Sequence, residues 1–426
     1  MKARVIIFVV LLAGALAGHV VALRLSPEYQ ARVSEVEQGF LDFLVANSQE
    51  SFQKSVPEQS SEVVLIDFRE ADKAEFSAWP PAPLDYIMLM KLLAPSEPEV
   101  LVFTEPLRWD TADTQFIQQL RQALLPVPSV ILGFDVSSEA TEMSPEQKEF
   151  AAGEMPSFNA AGLNPSAATV TFKSVTRLPD KALRIGTELG IARVLPVAGK
   201  GKDQEGLLPF VAYDGTHLVP SVAAQAVARF RYMPSTALHL RFGIGGRLGL
   251  SDAHVVPLDK GGAMKLQDKP VVPRLDVLTL FTPSLEDNAP DAAGAVLGKK
   301  KVLVIGSGAV AQDHAQAIAQ ALAVPHLHRA PPQGDWAFAG MMALLSLWQF
   351  RHGRFKVLLS GILLIALGAI ICMLTFQSSL WWWSPVPAAV VLATTTLFCF
   401  LWPRRSRVEP EHHGESAPAV GEGVGA

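Results

Sequence analysis

The chain has 426 residues, a formal net charge of −5, 18% charged residues and 49% hydrophobic ones. With a mean hydropathy of +0.26, this balance is too apolar for an ordinary soluble protein and fits a chain lying partly in a bilayer. The polar middle carries no basic cluster, which argues against nucleic acid as a partner. Both cysteines, Cys372 and Cys399, fall in apolar runs, so the polar region has neither a disulfide framework nor a thiol nucleophile.

The N-terminus, Met1-Lys2-Ala3-Arg4, is basic, and Val5–Leu23 is apolar apart from His19. Residues 1–24 are a membrane anchor, with about 19 apolar residues for a span, or a signal sequence with the small-x-small site Ala15-Leu16-Ala17. Both readings put residue 25 onward outside the cytoplasm. Ser26-Pro27-Glu28 is a helix start, and Val33, Val36, Phe40, Phe43 and Leu44 recur at helical spacing, predicting an amphipathic helix over Pro27–Asn47. Ser48–Ser61 reads as a loop.

From Glu62 the pattern alternates. Glu62–Asp67 is a short strand ending in an acid, and Trp79-Pro80-Pro81-Ala82-Pro83 is a stiff turn. Leu84–Ala94 is a helix, Val100–Phe103 a strand, Asp113–Leu125 a helix and Ser129–Phe134 a third strand. That order predicts an α/β domain with a largely parallel or mixed sheet. Ser138–Asn164 reads as a mobile insertion and Ala168–Ser174 as β-like. Leu195-Pro196 and Leu208–Tyr213 flank a glycine- and lysine-containing loop. Pro220-Ser221 opens a helix through Arg229. Gly243–Gly249 is too glycine-rich for regular structure. His254–Leu258 is a strand, Arg274–Leu280 strand or helix, and Lys301–Ile305 the last strong strand, followed by the helix Asp313–Ala323.

Residues 336–402 are the membrane block: a short apolar run, 336–350, and two long ones, 357–376 and 386–402. Arg351, His352, Arg354 and Lys356 lie between the first two runs, and Arg404, Arg405 and Arg407 follow the last. The connection Gln377–Ser384 has no cation and holds Trp381-Trp382-Trp383. Basic loops stay cytoplasmic and Trp prefers the headgroup layer. Three spans therefore put both basic segments inside and the Trp loop, read as an interfacial belt, outside. In the alternative, 336–350 is an interfacial helix. The tail, 403–426, reads as disordered and cytoplasmic.

Two constellations are candidate sites. Asp67, Glu70, Asp72 and Glu105 follow the carboxyl ends of strands, where α/β sheets hold ligands. Their bland reading is helix capping and solvated loops. Gly306-Ser307-Gly308 with Ala311, after Val302–Ile305, matches the strand–GxGxxA–helix form of a dinucleotide fingerprint. No acid ends a following strand, so the bland reading is a tight structural turn. His326 and His328 share a face if extended, with Asp313 and His314 nearby, too little for a metal site. Trp79 reads as a core anchor. There is no GxSxG, HExxH, P-loop or Cys–His pairing, so no enzyme and no cofactor are expected.

The ordered landmarks resemble a type-two CHASE domain, the extracytoplasmic sensory module of bacterial transmembrane receptors. Val63–Asp67, Trp79-Pro80 and Val100–Phe103 with Glu105-Pro106 resemble its opening. Val219–Ala223 resembles its helix start, Val256–Gly261 its short strand and turn, and Leu297–Gly306 through Asp313 and His314–Ile318 its closing strand and helix. The resemblance covers most of residues 25–402. The chain departs from it at Thr104-Glu105 and Pro83, where relatives commonly carry Asp and Arg, and the loop usual before Asp313 is missing. The resemblance implies a 25–330 sensory domain in the inner membrane of the cell, on the periplasmic or extracellular side of a multi-pass anchor. It also implies an unknown small-molecule ligand. With no cytoplasmic output domain in the chain, the partners are the lipid bilayer and a separate membrane signalling protein or a second copy. The alternative is an enzyme binding an NAD-type nucleotide at Gly306–Gly308.

Overall fold

The computed structural model describes residues 2–48, 56–76, 78–158, 168, 170–195, 206–234, 238–243, 245–251, 254–281, 296–351 and 354–401. The chain forms two compact units, one of Met1–Gln30, Pro332–Ala369 and Pro385–Ala426, the other of Ala31–Pro331 and Ile370–Ser384.

The second unit is α/β. Its longer helices are α2 (Pro27–Ala46, in this unit from Ala31), α3 (Pro83–Leu93), α4 (Thr114–Leu124), α5 (Val222–Phe230) and α6 (Gly308–Ala323). Local chemistry sets several starts. Asp85 accepts from the Ala82 amide at 2.8 Å, Asp113 from Gln115 at 2.8 Å and Ser221 from Ala224 at 3.3 Å, each quenching an amide that the first turn leaves without a helical partner. The sheet contains β1 (Val63–Asp67), β2 (Val100–Phe103), β3 (Ser129–Ser137), β4 (Ser174–Arg177), β5 (Glu188–Leu195), β6 (Arg274–Asp276) and β7 (Val302–Gly306). β6, β1, β7, β2 and β3 lie side by side with β5 beyond β3, all parallel, and β4 is antiparallel to β3. The sheet is thus mixed but mostly parallel.

Strand alternation divides the core in two. Val63 and Leu65, Val100 and Val102, Val302 and Val304 pack with α5 and α6 on one face. Val64 and Ile66, Leu101 and Phe103, Leu303 and Ile305 pack with α3 and α4 on the other. Near-continuous apolar strands are what two-sided burial requires.

Several expectations are revised. Ser138–Asn164 is no mobile insertion in its described part. Ser144 caps the short helix Pro145–Glu149, Phe150 is fully buried against Phe134 with ring centroids 5.2 Å apart, and Arg184 pairs with Glu146 at 2.6 Å and Glu154 at 3.0 Å. Residues 159–164 lie outside the described residues, as does the loop at 196–205. The strand expected at Ala168–Ser174 is instead Ser174–Arg177. Glu188–Leu195 carries no strand signal, since Gly190 and two charges interrupt it, yet it is β5. A Cβ at Gly190 would come within 2.6 Å of the Val222 amide nitrogen, so bare backbone is what lets α5 begin there. Gly243–Gly249 is partly regular: Arg247–Ser251 is the middle strand of a three-stranded antiparallel sheet with His239–Arg241 and His254–Pro257. The segment 274–281 is both strand and helix, β6 passing directly into the short helix Val277–Phe281. α6 begins at Gly308, not Asp313.

The other unit is helical: α1 (Lys2–Leu25), α7 (Pro332–Ser346), the amino-terminal part of α8 (Arg354–Ser379) and α9 (Val386–Leu401). Ile6–Leu25 and Phe355–Ser379 are long and apolar enough to cross a membrane, while Val386–Leu401 is a shorter apolar helix. Phe8 near the start of α1 meets Phe398 near the end of α9, with centroids 5.5 Å apart. Ser346 and Gln349, at and just past the end of α7, bond Thr395 and Thr396 late in α9, both at 3.3 Å. α1 and α9 are therefore antiparallel, and α7 and α9 parallel.

Candidate functional site

The last residues of the central strands continue the alternation. Asp67 pairs in register with Gly306, and Ile305 with Phe103, so Asp67, Gly306 and Thr104 form a row on the face covered by α6. The chain leaves β1 and β2 for helices on one face and leaves β7, which lies between them, for α6 on the other. Where neighbouring connections diverge to opposite faces, the carboxyl edge opens a crevice, the usual ligand position in open α/β sheets.

Its floor is tightly built. Thr104 is fully buried. Its amide donates to Ile305 O at 3.0 Å and its hydroxyl to the same oxygen at 3.3 Å. A Cβ on Gly306 would run into Thr104 Oγ1 and lie 3.0 Å from Ala311 Cβ, and Gly308 has φ +62° with open space beside it. Gly306, Gly308 and Ala311 therefore do the mechanical jobs of the fingerprint: close approach, sharp turn and close helix–strand packing.

The charged groups are sorted around this turn. Asp67, 1% exposed, is paired through Oδ2 with Arg274 of β6, and its Oδ1 is buried with no hydrogen-bond partner among the described residues. Glu105 accepts the Ser307 hydroxyl. Its charge also reaches buried Tyr86, whose phenol pKa is raised by burial first and by Glu105 and Asp85 after it. Arg69 holds Asp72 at 3.1 Å, bridges to Asp276 at 3.1 Å and also feels the charge of Asp67. The Glu70 side chain lies outside the described residues. On the far side, fully buried Asp135 of β3 bonds Arg193 of β5 at 2.7 Å, a bond that is the main cause of the raised Arg193 pKa.

Of the expected acids, Asp67 and Glu105 flank the Gly306–Gly308 turn, and Asp72 is tied to Arg69. The two sequence constellations, acids and glycine turn, occupy one site. The flanking acids come from the ends of β1 and β2, which a search along the chain after Gly308 cannot find. Arg274 and Arg69 are not among the expected site residues, while Ser307 is expected only as part of the glycine loop and Thr104 only as a departure from the resemblance. Only the alternating polar Arg274-Leu275-Asp276 hinted at an edge strand carrying charge. The turn suits pyrophosphate poorly, because the Glu105 carboxylate occupies the Ser307 hydroxyl that an anion would need.

The histidines sort differently from expectation. His326 lies 4.8 Å, ring to ring, from His254, and His328 lies 5.6 Å from Trp381. His314 is buried with Nε2 2.8 Å from Ala192 O. No group of three or more metal-ligating side chains occurs among the described residues. Trp79 is only half-buried, packed on Phe76 with Lys73 over its ring at 5.4 Å. No family model, no curated protein and no solved structure matches the chain.

Proposed function

We propose that the protein is a membrane-anchored, extracytoplasmic ligand-binding protein of the sensory type, without catalysis of its own, which passes its signal to a separate membrane partner. The observation that carries this reading is the carboxyl edge at the end of β7, where a buried carboxylate oxygen of Asp67 and the Glu105 carboxylate flank a glycine turn. An unpartnered buried acceptor is costly, and a ligand donor would satisfy it.

The membrane part of the reading rests on helix directions. His328–Arg329 pairs with Trp381–Trp382, and Ala330 N donates to Trp382 O at 2.9 Å. The chain leaves the α/β unit just before α7 and returns to it in the second part of α8, an out-and-back path that supports reading α7 as a spanning element. The starts of α1 and α8 and the ends of α7 and α9 then share one side, and the sequence puts Lys2, Arg4, Arg351, Arg354, Lys356 and Arg404 there, as the positive-inside rule requires. A coupling route is present in α2. Asp42 pairs with Arg241 at 2.7 Å and with Arg247, and Glu37 pairs at 3.0 Å with Arg329, which lies over Trp382. A ligand acts by favouring one of two packings of such elements.

The test uses the full chain in lipid nanodiscs. Thermal midpoints are measured against proteinogenic amino acids, polyamines, monosaccharides and NAD, with Glu105→Gln alongside. A non-nucleotide compound should raise the midpoint, with affinity weakened about tenfold or more by Glu105→Gln, the scale of one charge-assisted hydrogen bond. A rise with NAD alone, unaffected by that substitution, would instead favour the nucleotide reading. For orientation, Thr216→Cys should react with an impermeant maleimide on intact spheroplasts and Lys356→Cys only after lysis. The reverse pattern rejects an extracytoplasmic domain.

A further inference from the structure

At the opposite, amino-terminal edge of the sheet, a cavity of about 290 Å3 opens between the end of α3 and the α4–β3 turn. Its walls are apolar, with Leu93, Leu101, Ala123 and Val127 among them, and its rim carries Glu97, Glu99 and Lys300. The two acids are already engaged: Lys299 lies 3.1 Å from Glu97, and the Tyr232 phenol donates to Glu99. Lys300 Nζ has no partner among the described residues. The backbone at the mouth is held in an uncommon form. Glu97 has φ +45° and Lys300 φ +56°, and the Lys300 amide donates to the carbonyls of both Ser96 and Glu97 at 3.3 Å. Left-handed residues other than glycine are strained, and such strain collects at ligand clamps.

We infer that this cavity, separate from the carboxyl-edge crevice, binds a small carboxylate with an apolar body, and that Lys300 is the charge partner of its head. The volume sits at the lower end of ligand pockets, roughly 300–1,000 Å3, which suits an aryl or short alkyl acid. The walls offer such a body only dispersion and desolvation. Among the described residues the one free charge at the rim is positive, so it favours an acid over an amine or an alcohol of the same shape.

The experiment is calorimetric titration of the full chain in nanodiscs, with empty nanodiscs subtracted, using 4-phenylbutyrate, 4-phenylbutanol and 4-phenylbutylamine as probes. The acid should bind saturably and about tenfold or more tighter than the alcohol or the amine. Lys300→Gln should bring the acid's Kd to that of the alcohol and leave the alcohol's unchanged. Filling the cavity from either wall, by Ala123→Leu or Ala94→Phe, should weaken the acid and the alcohol together. An amine that binds as tightly as the acid, an acid Kd indifferent to Lys300→Gln, or no saturable binding of the acid overturns the assignment.

Discussion

Gly306→Ala is expected to destabilise the α/β unit by about 3 kcal/mol, the upper range for an added methyl that a packed core cannot absorb. The new Cβ would be driven into Thr104 Oγ1 while lying 3.0 Å from Ala311 Cβ. Neither neighbour can retreat: Thr104 is fully buried and bonded to Ile305 O, and Ala311 lies in the first turns of α6, seated on the sheet. Because the obstruction is a side chain, it can be removed. Thr104→Ala alone should cost about 1 kcal/mol for its hydrogen bond. The double variant should be more stable than Gly306→Ala alone, since the second change relieves the first. Denaturant midpoints of the four reconstituted proteins give the cycle. Strict additivity would show that Thr104 is not what excludes a side chain at position 306. Gly308→Ala, with open space but φ +62°, should cost only about 1 kcal/mol, the penalty of a left-handed alanine.

Acidification from pH 7 to pH 5 is expected to remove about 2 kcal/mol of stability through His314 alone. Its ring is buried on α6, where desolvation pushes its pKa down to about 4 despite the bond to Ala192 O. A folded pKa below the unfolded one of about 6.5 means that the unfolded chain takes up the proton first. Stability is therefore level above pH 6.5 and falls as pH drops from 6.5 to 4. Once the folded protein is protonated too, the loss levels off. His254, also pushed to about 4 by burial and then by Arg231, with His326 lowering it further, adds to the same window. Urea midpoints of the reconstituted chain between pH 4.5 and 8 check this. His314→Gln keeps a donor for Ala192 O and should flatten the slope by the His314 share. An unchanged slope would mean that this ring titrates normally.

The acceptor that holds His314 illustrates why such a site is illegible in sequence. β5 carries a register shift opposite Phe134 and Asp135 that skips Ala192, leaving a carbonyl that a residue 122 positions later, on another face element, satisfies. The same is true of the crevice. Reading forward from Gly306-Ser307-Gly308, no acid ends a following strand, and the fingerprint looks incomplete. The flanking acids precede it by about 200 (Glu105) and about 240 (Asp67) residues, because β7, the last strand of this sheet in the chain, inserts between β1 and β2.

What the chain's order determined by itself was everything governed by periodicity and local capping. Continuous apolar runs at β1, β2, β3 and β7 marked strands buried on both faces. Proline, Asp113 and Ser221 marked helix starts, and long uncharged runs marked α1, α8 and α9. Tertiary structure alone decided what depends on pairing between distant segments. It turned the glycine-interrupted Glu188–Leu195 into a strand, because α5 needed bare backbone beside it. It packed 138–158 onto the core through Phe150 and Arg184. It also tied Asp72 to Arg69, which bridges on to Asp276 of β6. Local signals act over a helical turn or a strand repeat, whereas ion pairs and register couple residues whose separation along the chain carries no information about their distance in space.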